Sequence, residues 1–155
     1  MLKRKAISIF DMREQSFISR SPKETLAFAE KLAHRIKPGA VLLLHGDLGS
    51  GKTTFVKGLA KGLGIKDVSE VKSPTFVIMH VYKTRIPLYH FDLYRLEKGA
   101  DLDGIGFQDF LNDPAAIACV EWAERADGDV PRDSYRFYFE VTPDHHRAIR
   151  WVEPE

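Results

Sequence analysis

The chain has 155 residues, a length typical of a single domain, and 44% of them are hydrophobic, enough to supply one core. A formal net charge of +1 gives no general attraction to nucleic acid, and one cysteine, Cys119, excludes an intramolecular disulfide and a cysteine-rich zinc site. No apolar run approaches the roughly 20 residues of a membrane span, and the basic start (residues 1–5) leads into no signal-peptide core, so a cytosolic protein is expected.

Residues 1–20 hold two apolar patches, 6–10 and Phe17-Ile18, and one strand is expected there, at a sheet edge. Ser21-Pro22-Lys23-Glu24 predicts a helix start: serine as cap, proline at the first helical position, glutamate three residues on. Leu26, Ala29, Leu32, Ala33 and Ile36 continue one apolar face until Pro38-Gly39. Residues 41–44 (Val-Leu-Leu-Leu) read as a buried strand, and 54–63 have helical spacing, with Gly62-Leu63-Gly64 as the stop. After a polar stretch at 65–73, residues 76–82 and 86–94 are rich in β-branched and aromatic side chains. Only three residues separate these two runs, too few for a parallel crossover, so an antiparallel hairpin follows. A short helix is expected at 105–111, a buried strand within 115–122, and a final antiparallel pair at 135–141 and 148–152. Helix and strand patterns interleave, which predicts one α/β domain, a mixed sheet flanked by helices.

Between the strand at 41–44 and the next helix lies Gly46-Asp47-Leu48-Gly49-Ser50-Gly51-Lys52-Thr53, which fits the phosphate-binding pattern G-x-x-x-x-G-K-[ST] in the required strand–loop–helix order. A triphosphate carries several negative charges that must be held closely. The glycines let the backbone curl so that successive N–H groups point inward, and the helix beginning near Lys52 adds unpaired N–H groups and the positive end of its dipole. In such a loop Lys52 reaches the β- and γ-phosphates and the Thr53 hydroxyl ligates magnesium.

Hydrolysis also requires a carboxylate near the metal and a group that orients water. Asp92, in His90-Phe91-Asp92-Leu93-Tyr94-Arg95, and Glu121, after Ile117-Ala118-Cys119-Val120, both stand where a strand ends. Thr75, after Ser73-Pro74, suits a threonine that closes on the γ-phosphate. His45, His90, His145 and His146 lack metal-ligand spacing, and His90 is expected to play a structural or supporting part.

Together with Val71-Lys72-Ser73-Pro74-Thr75, Tyr89 to Arg95 and Val120-Glu121-Trp122, the loop gives the chain a close resemblance to the TsaE (YjeE) family, the ATPase components of bacterial tRNA threonylcarbamoyladenosine synthesis. The resemblance implies a P-loop ATPase that binds ATP and magnesium and acts with the TsaB–TsaD heterodimer, meeting tRNA only indirectly. It implies nucleotide contacts from Asp47, Leu48, Gly49, Ser50, Gly51, Lys52, Thr53 and Thr54, and magnesium ligation by Thr53, Glu121 and Asp92. Lys52, Thr75, Asp92 and Glu121 are its catalytic set, and adenine contacts are implied near residues 21–25. The rival reading is a small-molecule or nucleoside kinase using the same loop, although no insertion is long enough to fold as a lid. A module in which nucleotide occupancy rather than turnover matters also stays open.

Overall fold

The structure is a computed structural model and describes residues 14–97, 102–126 and 128–155. Among these residues seven strands form one sheet: β1 (Glu14–Ser19), β2 (Val41–His45), β3 (Met79–Tyr82), β4 (Leu88–Asp92), β5 (Ile117–Glu121), β6 (Tyr135–Val141) and β7 (Arg147–Val152). Their order is β1-β7-β6-β2-β5-β4-β3. The central β6, β2, β5 and β4 run parallel, whereas β1, β7 and β3 are antiparallel to their neighbours. The α/β class and mixed sheet expected from the sequence are present. The early strand lies at an edge, and the apolar patch at 6–10 falls outside the described residues.

Parallel strands are covered on both faces and therefore read as continuous apolar runs. In β2, Leu42 and Leu44 face one core with α1 (Pro22–Ala33) and α2 (Lys52–Gly62). Val41 and Leu43 face the other, closed by Phe107 and Leu111 of the short α3 (Phe107–Leu111). Cys119 is fully buried in the first core, and burial pushes its thiol well above the ordinary range, so it acts as a small hydrophobe. Among the described residues no helix is long and apolar enough to cross a membrane.

The start of α1 is fixed as its sequence requires. Ser21 Oγ accepts the Glu24 N–H at 3.1 Å, and the Glu24 carboxylate reaches back to accept the Arg20 N–H at 2.7 Å. Thr25, rather than Leu26, takes the fully buried position on the first turn, because its hydroxyl pairs with that of Ser19 at 2.6 Å beneath the β1 end.

Two expected boundaries shift at the hairpin. The hairpin forms, but its first strand begins at Met79 rather than residue 76. Ile78 adopts a left-handed φ of 72°, and its N–H bonds the Pro74 carbonyl at 2.6 Å. This turn ejects Phe76 and Val77 into solvent, where Phe76 lies under the Arg95 guanidinium at 4.6 Å. The second strand begins at Leu88, not residue 86. The expected glycine stop holds: α2 ends at Gly62, and the N–H of Gly64, at a left-handed φ of 98°, bonds the Lys61 carbonyl while that of Ile65 bonds the Ala60 carbonyl.

Gly62 and Gly58 also let α2 press against α1. A methyl group at Gly58 would lie 2.3 Å from the Leu26 carbonyl oxygen and 2.6 Å from Ala29 Cβ. Alanine gains about 1 kcal/mol in helix propensity over glycine, but overpacking against a backbone atom costs about 1–3 kcal/mol or more. Gly58→Ala is therefore expected to lower stability by about 2 kcal/mol, read as a fall of about 4–8 °C in melting temperature. An unchanged or higher melting temperature would show that the helices separate without penalty.

Candidate phosphate and metal site

The carboxyl ends of the parallel strands, where the open sheet changes direction around β2, form the place at which ligands settle in such folds. A cavity of about 400 Å³ opens there. Its floor is the loop from Leu48 to Gly51 with the first turn of α2, Lys52, Thr53 and Thr54. Ser73, Thr75, Asp92, Glu121 and Trp122 also line it, as do Ser19 to Pro22, Thr25, His145 and Arg147, and a Cβ on Gly51 of the loop would lie 3.9 Å from Arg147 Cγ.

Gly46 shows why the loop needs glycine. It carries a φ of 153°, and a Cβ there would lie 2.6 Å from Ser50 Oγ and 2.7 Å from the Phe139 carbonyl. The loop is thus drawn tight against β6. Ser50 Oγ is buried with no hydrogen-bond partner among the described residues, an orphaned donor inside the curl. The first N–H groups of α2 have no intrahelical acceptors, and none of its first-turn side chains is acidic.

Lys52 is almost fully buried. Its Nζ donates to the Gly46 carbonyl and stands 3.9 Å over the Trp122 ring. Burial lowers its pKa from the ordinary lysine value, and the nearby carboxylates, Glu121 first, work against that shift. A buried cation at the floor of a cavity is stabilised by an anion brought to it.

The two acids take different neighbours, although the sheet sets them side by side: Asp92 pairs in register with Glu121. Glu121 accepts from Thr53 Oγ1 at 3.2 and 3.3 Å on its two oxygens, and from His90 Nε2 at 2.5 Å. Asp92 accepts from the hydroxyls of Ser73 and Thr75, the latter at 2.8 Å, and from the Tyr94 N–H at 2.9 Å. Asp92 therefore grips the 73–75 segment, while Glu121 faces the α2 threonine. Trp122, directly after Glu121, holds a left-handed φ of 58° and packs on Tyr94 at 5.0 Å between ring centres.

The residues fit a phosphate chain with a hard divalent cation. A magnesium site needs only a carboxylate or two, a hydroxyl and substrate phosphates, since that ion keeps several waters. Accordingly, no cluster of three or more His, Cys, Asp or Glu side chains among the described residues is arranged to hold a metal alone. Lys52, Thr53, Thr75, Asp92 and Glu121, singled out from the sequence, meet at this cavity, as do Leu48, Gly49, Ser50, Gly51 and Thr54. Asp47 does not line it: its side chain is exposed and its carbonyl accepts the Ser50 N–H at 3.1 Å. Sequence reasoning missed Arg147, which comes from the last strand and carries no local motif.

The family model described as "Threonylcarbamoyl adenosine biosynthesis protein TsaE" matches residues 19–149. The chain belongs to the TsaE family. The match spans every residue that lines the cavity, from Ser19 to Arg147. TsaE of Treponema pallidum is 38% identical over 85% of this chain and 96% of its own length. TsaE of Bacillus subtilis is 38% identical over 91% and 87%, and that of Aquifex aeolicus 40% identical over 86% and 92%. The crystal structure of Bacillus subtilis YdiB superimposes with a TM-score of 0.75 at 35% identity, covering 92% of this chain and 86% of that one. The fold on which the cavity is built is thus shared with YdiB.

Proposed function

We propose that the chain is the ATP-hydrolysing component of tRNA threonylcarbamoyladenosine synthesis, working on a TsaB–TsaD heterodimer. The names of the relatives give the pathway. The observation that carries the hydrolytic reading is the convergence on one cavity of the loop lysine and threonine, Lys52 and Thr53, with the strand-end acids Glu121 and Asp92 and the hydroxyl of Thr75.

In this reading the loop N–H groups and Lys52 hold the β- and γ-phosphates. Thr53 and Glu121 hold magnesium, which, when bound, neutralises charge on the phosphate oxygens. Asp92 sets the position of Thr75, whose hydroxyl it already accepts at 2.8 Å, and orients water beside the γ-phosphate. The segment Ser19 to Pro22 with Thr25, which also lines the cavity, receives the base. Transfer RNA is met through the partner, since a net charge of +1 leaves little electrostatic attraction for a polyanion.

The same loop would serve a nucleoside kinase, so the acceptor decides. Incubation of the full chain with ATP, magnesium and a mixture of nucleosides is expected to yield ADP and free inorganic phosphate. Stoichiometric appearance of phosphorylated nucleoside would support the kinase reading instead.

A further inference from the structure

β4 carries one buried polar side chain that the proposed reaction does not use. His90 is fully buried between β3 and β5, yet it lies against polar groups on two sides. Its Nε2–H donates to Glu121 Oε2 at 2.5 Å, which leaves Nδ1 facing the Tyr82 hydroxyl at 3.3 Å. That hydroxyl has one proton, which in this arrangement goes to Nδ1, while its oxygen accepts the Lys72 N–H at 3.4 Å and the Lys72 carbonyl lies 3.2 Å away. Burial pushes the Tyr82 phenol above its ordinary range, so the hydroxyl keeps its proton.

An unbroken chain of contacts therefore runs from the backbone of the 72–75 segment through Tyr82, His90 and Glu121 to Thr53 at the head of α2. The same segment is tied a second time, through Ser73 and Thr75 to Asp92. A histidine that merely filled this core would show its loss in stability alone, because removing one partner of a buried pair leaves the other unsatisfied. A histidine that sets a carboxylate is a different matter. A glutamate at a strand end has three side-chain torsions, and a fixed donor on one oxygen leaves the other aimed at the threonine.

We infer that His90 is a positioning residue for Glu121, and that Tyr82, bridging His90 to Lys72, makes the placement of that carboxylate depend on the 72–75 segment. The inference rests on the reading of Glu121 as the carboxylate that holds magnesium. Outer partners of a metal-holding carboxylate are worth about 10–100-fold in metal affinity when removed.

The test uses the full chain with manganese as the probe, its binding to the ATP-loaded protein followed by electron paramagnetic resonance. Affinity for a fluorescent ATP analogue is measured in parallel with all divalent ions chelated. His90→Ala is expected to raise the manganese dissociation constant about 10–100-fold while leaving metal-free nucleotide affinity within about twofold. His90→Gln, whose amide can donate to Glu121, should recover most of that loss, and Tyr82→Phe should raise the constant by about threefold. If His90→Ala does not fold, as read by circular dichroism, His90→Gln and Tyr82→Phe carry the measurement, the second removing only one oxygen. Unchanged manganese affinity in the folded variants, with a parent protein that binds both nucleotide and metal, would overturn the inference and leave the proposed function standing. A parent that binds neither would overturn that function, and the inference with it.

Discussion

Replacing Glu121 by glutamine is expected to lower ATP turnover, measured with TsaB–TsaD present, by about 100-fold, equivalent to about 2.7 kcal/mol in the barrier. The carboxylate is almost fully buried and within 3.2 and 3.3 Å of the Thr53 hydroxyl. In the proposed reaction it would act through the metal on charge that develops as the γ-phosphoryl group is transferred. Glutamine keeps the side-chain volume and can still accept the His90 N–H, so the variant removes the charge and little else. Alanine is the poorer choice, because it would strand His90 and Thr53 at a buried position, which itself destabilises. Nucleotide affinity should therefore stay within about threefold of the parent, placing the loss in kcat rather than in ground-state binding. Parent-like phosphate release by the variant would make Glu121 a structural strand end.

Lys52→Ala is expected to weaken ATP binding by about 10–150-fold, the worth of one charge-assisted contact of about 1.5–3 kcal/mol. The fold should survive, for a physical reason. Burial disfavours the charged ammonium in the free protein, so removing it relieves that desolvation while giving up the Gly46 carbonyl contact and the Trp122 ring. These changes oppose one another, and melting should move little. Calorimetric titration with ATP and magnesium reads the affinity, and circular dichroism the fold. A folded variant with unaltered affinity would remove the loop from the account of phosphate binding.

The parts legible in the sequence were those fixed by neighbours in the chain. The phosphate loop is eight consecutive residues, the α1 cap is four, and the β3–β4 hairpin follows from the short connection at 83–85. What escaped depended on contacts across the sheet. Phe76 and Val77 have strand propensity, but the Pro74–Ile78 turn, held where the Ile78 carbonyl accepts the Asp92 N–H at 2.9 Å, delays the strand to Met79. Gly62 reads as a helix stop and does end α2, but only Glu30 and Ala33 of α1 pressing on it show that it is also a close-packing point. Asp92 and Glu121 were each picked out at a strand end, yet only the parallel register of β4 on β5 makes them neighbours with separate partners. Arg147 reaches the cavity because β7 lies beside β1 at the far side of the sheet, a juxtaposition no local pattern announces.

The proposed ATP turnover at this cavity, and its proposed dependence on a protein partner, are tested most directly by inorganic phosphate release from the full chain, alone and with a purified TsaB–TsaD heterodimer, with magnesium present. Slow release alone, clear stimulation by the heterodimer, and loss of both in Lys52→Ala are the predicted results. Phosphate release that the heterodimer leaves unchanged, or that persists at the parent rate in Lys52→Ala, would contradict them.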